Sequence, residues 1–365
     1  MARMFLHIAI VILCVTFVKS TSQDSRLNGI YALVERRLPF HRDTFNFQLT
    51  EGDSDSFIIS DSAREVSNRI WWCRYIGPGH VFINCRPLPL QLEILELEVQ
   101  SSLIDIISIL YTTAFYDFEQ WSLLLDWLSL RGVNLPLAWV GNEHFIVEVF
   151  KELGLNDTSI SDFLSGPAFQ AWNRFGNIQG SWGGTLPYQW IADQFSLQKK
   201  IVQRMVELGM TPILPAFTGY IPRDLSLVYP DASVVKATQW SSFPSSLTED
   251  TFLNPFDPLY SKIQNSFISK QIEAYGNVSH VYTLDQFNEI LPSSGEPEYL
   301  HNVSAGTFQS LRAADPSAVW LMQGWLFLIS PDFWTLDRIS AYLDGVPGDD
   351  NMIILDLFSE AFPLW

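Results

Sequence analysis

Basic residues are scarce in this 365-residue chain, where 22 Lys and Arg stand against 40 Asp and Glu and leave a formal net charge of −18. That balance argues against a nucleic-acid partner, because neutralising phosphates requires clustered cations. It suits a protein that works in acid, where carboxylates lose their charge and self-repulsion falls. Charge of either sign is sparse, at 17% of residues against 47% hydrophobic, which excludes disorder and allows a large core. Cysteine is also scarce. Cys14 lies in the apolar leader, leaving Cys73 and Cys85, which an oxidising compartment permits to pair across the Gly77-Pro78-Gly79 turn.

Motifs of several chemistries are missing. The sequence has no Gly-x-Ser-x-Gly elbow, no Walker loop and no His-Glu-x-x-His, and its six His are scattered. No metal or organic cofactor is expected. A long apolar run stands at the start: Arg3 precedes a nearly unbroken stretch from Phe5 to Val18, and Val18-Lys19-Ser20 follows it. Residues 1–20 therefore read as a signal peptide. No later segment reaches spanning length without charges, so no membrane span is expected. Three sequons, at Asn156, Asn277 and Asn302, agree with a secretory route and are read as glycosylation sites.

The chain divides near residue 115. Residues 21–114 read as a small α/β domain, with strand-like alternation at Phe45 to Leu49 and at Phe57 to Ile59; Leu88 to Leu110 is a long aliphatic run. From residue 115 onward, amphipathic helices alternate with short apolar strands. The pattern predicts helix 118–131 then strand 133–139, helix 189–208 then strand 210–217, and helix 258–275 then strand 280–287. It continues with helix 298–314 then strand 318–325, and helix 331–343 then strand 351–358. A further strand is expected near 175 to 185, and each helix is expected to end in or near Gly. Such alternation means a parallel sheet, either doubly wound or a (β/α)8 barrel. No Gly-x-Gly-x-x-Gly follows a first strand, and polar residues gather at the strand ends, so the barrel is the expected fold.

Barrel enzymes place their chemistry at the C-terminal ends of the strands. The strand at 280–287 delivers Asn288 and Glu289 there. A Glu so placed can protonate a glycosidic oxygen, with the preceding Asn holding the neighbouring sugar substituent; a surface-loop carboxylate is the alternative. Aromatic residues mark the other ends and the loops, among them Trp139, Trp172, Trp182, Trp240, Trp325 and Phe358, out of 13 Trp in all. Flat indoles suit the apolar faces of pyranose rings, although any single Trp is more often core. Glu143 has two readings: it points into the same mouth, or it sits in the first turn of the following helix.

Several blocks resemble the alpha-N-acetylglucosaminidase family: Gly132-Val-Asn-Leu-Pro-Leu-Ala-Trp139, Ser165-Gly-Pro-Ala-Phe-Gln-Ala-Trp172-Asn-Arg-Phe-Gly-Asn177 and Gly209-Met-Thr-Pro-Ile-Leu-Pro-Ala-Phe217. Phe287-Asn-Glu289, Trp320-Leu-Met-Gln-Gly-Trp-Leu-Phe327 and Leu355-Asp-Leu-Phe-Ser-Glu360 follow in the family's order. The resemblance covers about residues 115 to 365. It implies a lysosomal or secreted retaining hydrolase acting on terminal alpha-linked N-acetylglucosamine of heparan sulfate-type glycans. Glu289 matches the acid/base position, and Asn288, Trp172, Phe175, Trp240 and Trp325 match pocket positions. Asp356 and Glu360, in the last of these blocks, are expected to serve structure or pocket before nucleophile. The family's nucleophile lies in a Pro-Glu-Gly block that this sequence lacks, so a truncated barrel without its second carboxylate is expected; a noncatalytic carbohydrate-binding relative is the alternative. Residues 70–113 also depart from the family's pattern, which places an Asn-x-Cys-Thr block where Ile104-Asp-Ile-Ile-Ser-Ile-Leu-Tyr-Thr-Thr113 stands.

Overall fold

The computed structural model describes residues 28–37, 39, 57–59, 71–73, 113–130, 133–180 and 184–355. The leader, Cys85, the run from Leu88 to Leu110, Trp182, Asp356, Phe358 and Glu360 lie outside that set. The principal elements in chain order are α1 (Asn28–Arg37), β1 (Phe57–Ile59), β2 (Trp71–Cys73), α2 (Phe118–Ser129), α3 (Asn142–Glu152), α4 (Asp157–Phe163), α5 (Gln170–Arg174) and α6 (Tyr188–Glu207). They continue with β3 (Leu214–Pro215), β4 (Tyr220–Ile221), β5 (Val234–Lys236), β6 (Thr251–Leu253), α7 (Pro258–Tyr275), β7 (Val281–Thr283), α8 (Pro297–Ala314), β8 (Val319–Gln323), α9 (Trp325–Ile329), α10 (Leu336–Leu343) and β9 (Met352–Leu355).

The chain forms two compact units. One comprises Met1–Ile104, Tyr116–Leu137 and Lys200–Pro212. Its helix α2 starts at a capping box: the Asp117 carboxylate accepts the Gln120 N–H at 2.9 Å, and the Gln120 side chain accepts the Asp117 N–H at 3.0 Å. Trp121, Leu125 and Leu128 form its buried stripe. The same buried face carries Asp126, whose carboxylate accepts from Arg36, Arg37 and Arg204 at 2.7–3.1 Å. Three guanidinium groups on one carboxylate satisfy a charge that burial would otherwise forbid. Helix α1 approaches the end of α6 so closely that a Cβ at Gly29 would lie 1.2 Å from the Glu207 carbonyl oxygen, which only glycine allows.

The second unit comprises Asp105–Phe115, Ala138–Lys199 and Ile213–Trp365. At its centre is a parallel four-stranded sheet of order β3-β7-β8-β9. The β8 residues Trp320, Leu321 and Met322 are at most 1% exposed, as a strand covered on both faces requires. Helix–strand alternation was thus read correctly at β7, β8 and β9, and α7 spans the predicted residues.

Four expectations need correction. Strand 210–217 contracts to Leu214–Pro215, because Pro212 and Pro215 lack the N–H of a full ladder; Pro215 is tolerated because β3 lies at the edge of the sheet. Residues 133–139 make isolated bridges instead of a continuous strand, with Thr211 N–H to the Asn134 carbonyl at 2.8 Å and Ala138 N–H to the Ile213 carbonyl at 2.9 Å. No strand occurs among the described residues of 175–185, where turns follow α5. The glycine rule holds at Gly154, Gly209 and Gly276, all with positive φ, but α8 ends on Asp315 in extended backbone.

A second sheet, antiparallel and of order β4-β6-β5, has no counterpart in the sequence reading. Its strands of two and three residues are too short to show a period. They matter because β5 and β6 bracket residues 237–250, the loop that carries Trp240. No helix among the described residues is long and apolar enough to cross a membrane.

Candidate active site

Glu289 lies half-buried in the bend that follows β7, with Asn288 beside it at 5% exposure. Two indoles converge on its carboxylate. Trp240 Nε1 donates to Oε2 at 3.0 Å, and Trp325 Nε1 donates to Oε1 at 3.3 Å. The two donors arrive from different elements, Trp240 from the 237–250 loop and Trp325 from the first residue of α9. Each oxygen keeps a second lone pair, so the group is oriented while remaining able to carry a proton.

The remaining aromatic residues build a wall beside this carboxylate. Trp172 packs on Trp240 with ring centroids 5.0 Å apart and planes 35° apart, and Phe243 stacks on the same indole at 4.9 Å. Trp172, on α5, is half-buried and keeps part of its surface open. Phe175 and Trp139 lie 6.1 Å apart and are 1% and 2% exposed, so they are interior rings that back the wall and present no open face. Phe358, expected at the same rim, lies outside the described residues.

Of its two sequence readings, Glu143 follows the second, as a residue of the helix that comes after Trp139 and not as a group of the mouth. It sits in the first turn of α3 and forms a buried two-bond ion pair with Arg174, at 2.7 and 2.8 Å. Both side chains are 1% exposed. Arg174 belongs to the same short helix as Trp172, so this pair fixes the helix that presents the indole. Asn173 adds two bonds from its amide, to the carbonyls of Phe163 and Ile178. Gly176 then turns the chain with φ +75°, where a Cβ would fall 2.0 Å from the Tyr220 ring. Tyr220 donates from its hydroxyl to the Gln286 carbonyl at 2.6 Å, just before the Asn-Glu pair. Burial pushes the Tyr220 phenol well up from its ordinary value, so it remains a neutral donor.

Sequence reasoning missed Arg174, Thr238, Phe243 and Asp285. Most are polar groups that act through contacts distant in sequence and leave no local periodicity. Arg174 lies inside the block Ser165 to Asn177 that carries the family resemblance, and only the role of the arginine was unreadable. The three sequon asparagines are all exposed: Asn156 caps α4 by accepting the Ser159 N–H at 2.9 Å, Asn277 follows α7, and Asn302 lies inside α8. Among the described residues no group of three or more His, Cys, Asp or Glu is placed to hold a metal ion.

A parallel βα sheet that carries a carboxylate and a wall of indoles beyond its C-terminal strand ends is the construction of a barrel glycoside hydrolase. The chain belongs to the alpha-N-acetylglucosaminidase family: residues 104–365 match the family described as the alpha-N-acetylglucosaminidase (NAGLU) tim-barrel domain. The match begins upstream of residue 115, where the change of pattern was placed. The chain is 39% identical over 255 residues to human alpha-N-acetylglucosaminidase, covering 70% of itself and 34% of that relative. It thus spans about a third of the length of the curated relative it matches. Among solved structures, a family 89 glycoside hydrolase from Clostridium perfringens in complex with PUGNAc superimposes with a TM-score of 0.71 at 24% identity, over 93% of this chain and 40% of that one. The same bacterial enzyme with its substrate GlcNAc-alpha-1,4-galactose gives 0.70 at 24% identity, over 92% and 40%. These superpositions establish the shared fold.

Proposed function

We propose that the chain carries the acid/base half of an alpha-N-acetylglucosaminidase site, acting on non-reducing terminal alpha-linked N-acetylglucosamine. The observation that carries this reading is the Glu289 carboxylate held by the Trp240 and Trp325 indoles beyond β7. In the forward step the proton on Glu289 passes to the glycosidic oxygen as the bond from that oxygen to the anomeric carbon breaks. A second carboxylate forms the new bond to that carbon. Water then attacks the glycosyl intermediate, loses a proton to Glu289 and releases the sugar with retained configuration. Asn288 is the partner for the acetamido group, and Trp172 and Trp240 form the apolar platform beneath the ring.

The second carboxylate is assigned to the family's Pro-Glu-Gly block, which these 365 residues do not contain. The human relative's name and the substrate in the bacterial complex both support N-acetylglucosamine as the recognised unit. Heparan sulfate-type glycans are the proposed natural substrate, on family grounds. A secretory or lysosomal location, with cleavage of residues 1–20 and glycans on Asn156, Asn277 and Asn302, completes the proposal.

The test is turnover of a fluorogenic N-acetyl-alpha-glucosaminide at acid pH by this chain and by Glu289→Gln. Activity lost on that substitution supports the acid/base assignment and places a nucleophile within the chain. A folded chain that binds N-acetylglucosamine equally well in both forms, without turnover, establishes the carbohydrate-binding alternative.

A further inference from the structure

β7 and β8 run in parallel register, with Thr283 opposite Leu321, and the same offset sets Asp285 opposite Gln323. Backbone pairing has ended by that point. The Leu284 carbonyl accepts the Trp320 indole N–H at 3.0 Å, and the Gln323 N–H goes to the Asp285 carboxylate at 2.8 Å. A side chain therefore continues the ladder beyond its last backbone pair. Both residues are buried, Asp285 at 3% and Gln323 at 5% exposure, so the bond forms away from competing water. On the other side of β8 the Gly324 N–H reaches the Leu355 carbonyl at 2.8 Å. The end of β8 is thus held from both neighbours, and Trp325 follows directly.

We propose that Asp285 is a positioning residue that holds the end of β8 in register, so that the Trp325 indole meets the Glu289 carboxylate. The same stretch of chain supplies both groups: Asp285 fixes β8 and Glu289 receives the indole that β8 delivers. The other indole is set independently, because Trp240 lies on the 237–250 loop, which Thr238 ties to Leu291. Loss of Asp285 therefore acts on one indole of the pair and spares the other. The catalytic consequence rests on Glu289 being the acid/base group; the positional one does not.

Tryptophan-selective nitrogen-15 spectra of the full chain separate the two claims. Trp325→Phe and Trp240→Phe identify the two indole resonances, and Glu289→Gln is expected to move both. Asp285→Leu is expected to move the Trp325 resonance alone. Asp285→Asn, which keeps an acceptor oxygen for the Gln323 N–H, is expected to move it less. A folded Asp285→Leu protein with an unmoved Trp325 resonance overturns the inference. Where Asp285→Leu does not fold, Asp285→Asn decides: displacement of Trp325 beyond that of Trp240 supports positioning, and equal displacement overturns it. With a turned-over substrate, kcat is expected to fall about a hundredfold in Asp285→Leu at nearly constant KM, as for a misplaced catalytic group. A wild-type chain without turnover is the outcome expected of a site that lacks its second carboxylate, and the spectral test then decides alone.

Discussion

The Thr238 hydroxyl accepts the Leu291 N–H at 2.9 Å and faces the Leu291 carbonyl at 3.4 Å. Two residues after Thr238 and two before Leu291, Trp240 meets Glu289. One hydroxyl therefore joins the loop that carries an indole to the bend that carries the carboxylate. Thr238→Val keeps the shape and removes the latch. We expect kcat/KM to fall about tenfold and stability by about 1 kcal/mol, with Thr238→Ser close to wild type. Steady-state kinetics and urea denaturation check both.

Trp240 has two proposed functions, and substitution separates them. Trp240→Phe keeps a ring between Trp172 and Phe243 but removes the N–H on Glu289, so kcat falls while KM changes little. Trp172→Ala leaves that hydrogen bond and strips the platform, so KM rises several-fold, as expected for about 1 kcal/mol of aromatic contact. Michaelis constants for the two variants would separate these effects. The assignment fails if both shift the same parameter.

The Glu143–Arg174 pair is buried on both sides, so breaking it costs more than it contributes intact. Arg174→Met leaves a buried carboxylate without its partner and is expected to lower stability by about 3–5 kcal/mol. The double variant Glu143→Gln with Arg174→Met should recover much of that loss. Equilibrium denaturation of the three proteins measures the coupling.

Asp250, at 0% exposure, titrates abnormally: burial raises its carboxyl to about 8, against the opposing pull of Arg223 at 3.2 Å. Its folded value lies above the unfolded one, so between about pH 4 and 8 the native state holds a proton that the unfolded chain has lost. Stability should then fall as pH rises through that window, by at most about 1.4 kcal/mol per pH unit. Asp250→Asn should flatten the slope. Thermal melts from pH 4 to 8 on both proteins test this, and a wild-type profile that rises across the window would contradict it.

The parallel half of the fold was legible because helices such as 258–275 are long enough to repeat their pattern and end in recognisable signals. The antiparallel sheet was not, since Tyr220–Ile221 and Val234–Lys236 are shorter than any period. The site divides in the same way. Glu289, Asn288, Trp240 and Trp325 could be named because strand ends and family blocks point to them. Arg174, Thr238 and Asp285 act through partners 31, 53 and 38 residues away, which only the folded chain brings together. Trp139 and Phe175, expected as pocket residues, lie behind the more open indoles, since sequence alone cannot tell a ring at the rim from one directly behind it.

Trp240 stands on an excursion between two short antiparallel strands, with both ends of the loop closed at the Ala237 N–H and the Asp250 carbonyl. Near its start, Thr238 and Trp240 tie the excursion to the bend that carries Glu289. The remainder of the loop can therefore be lengthened, shortened or exchanged while those two contacts keep their hold on the carboxylate. On the proposed sugar-binding reading, change of glycan preference has a ready route there, through residues 241–249, without redesign of the barrel.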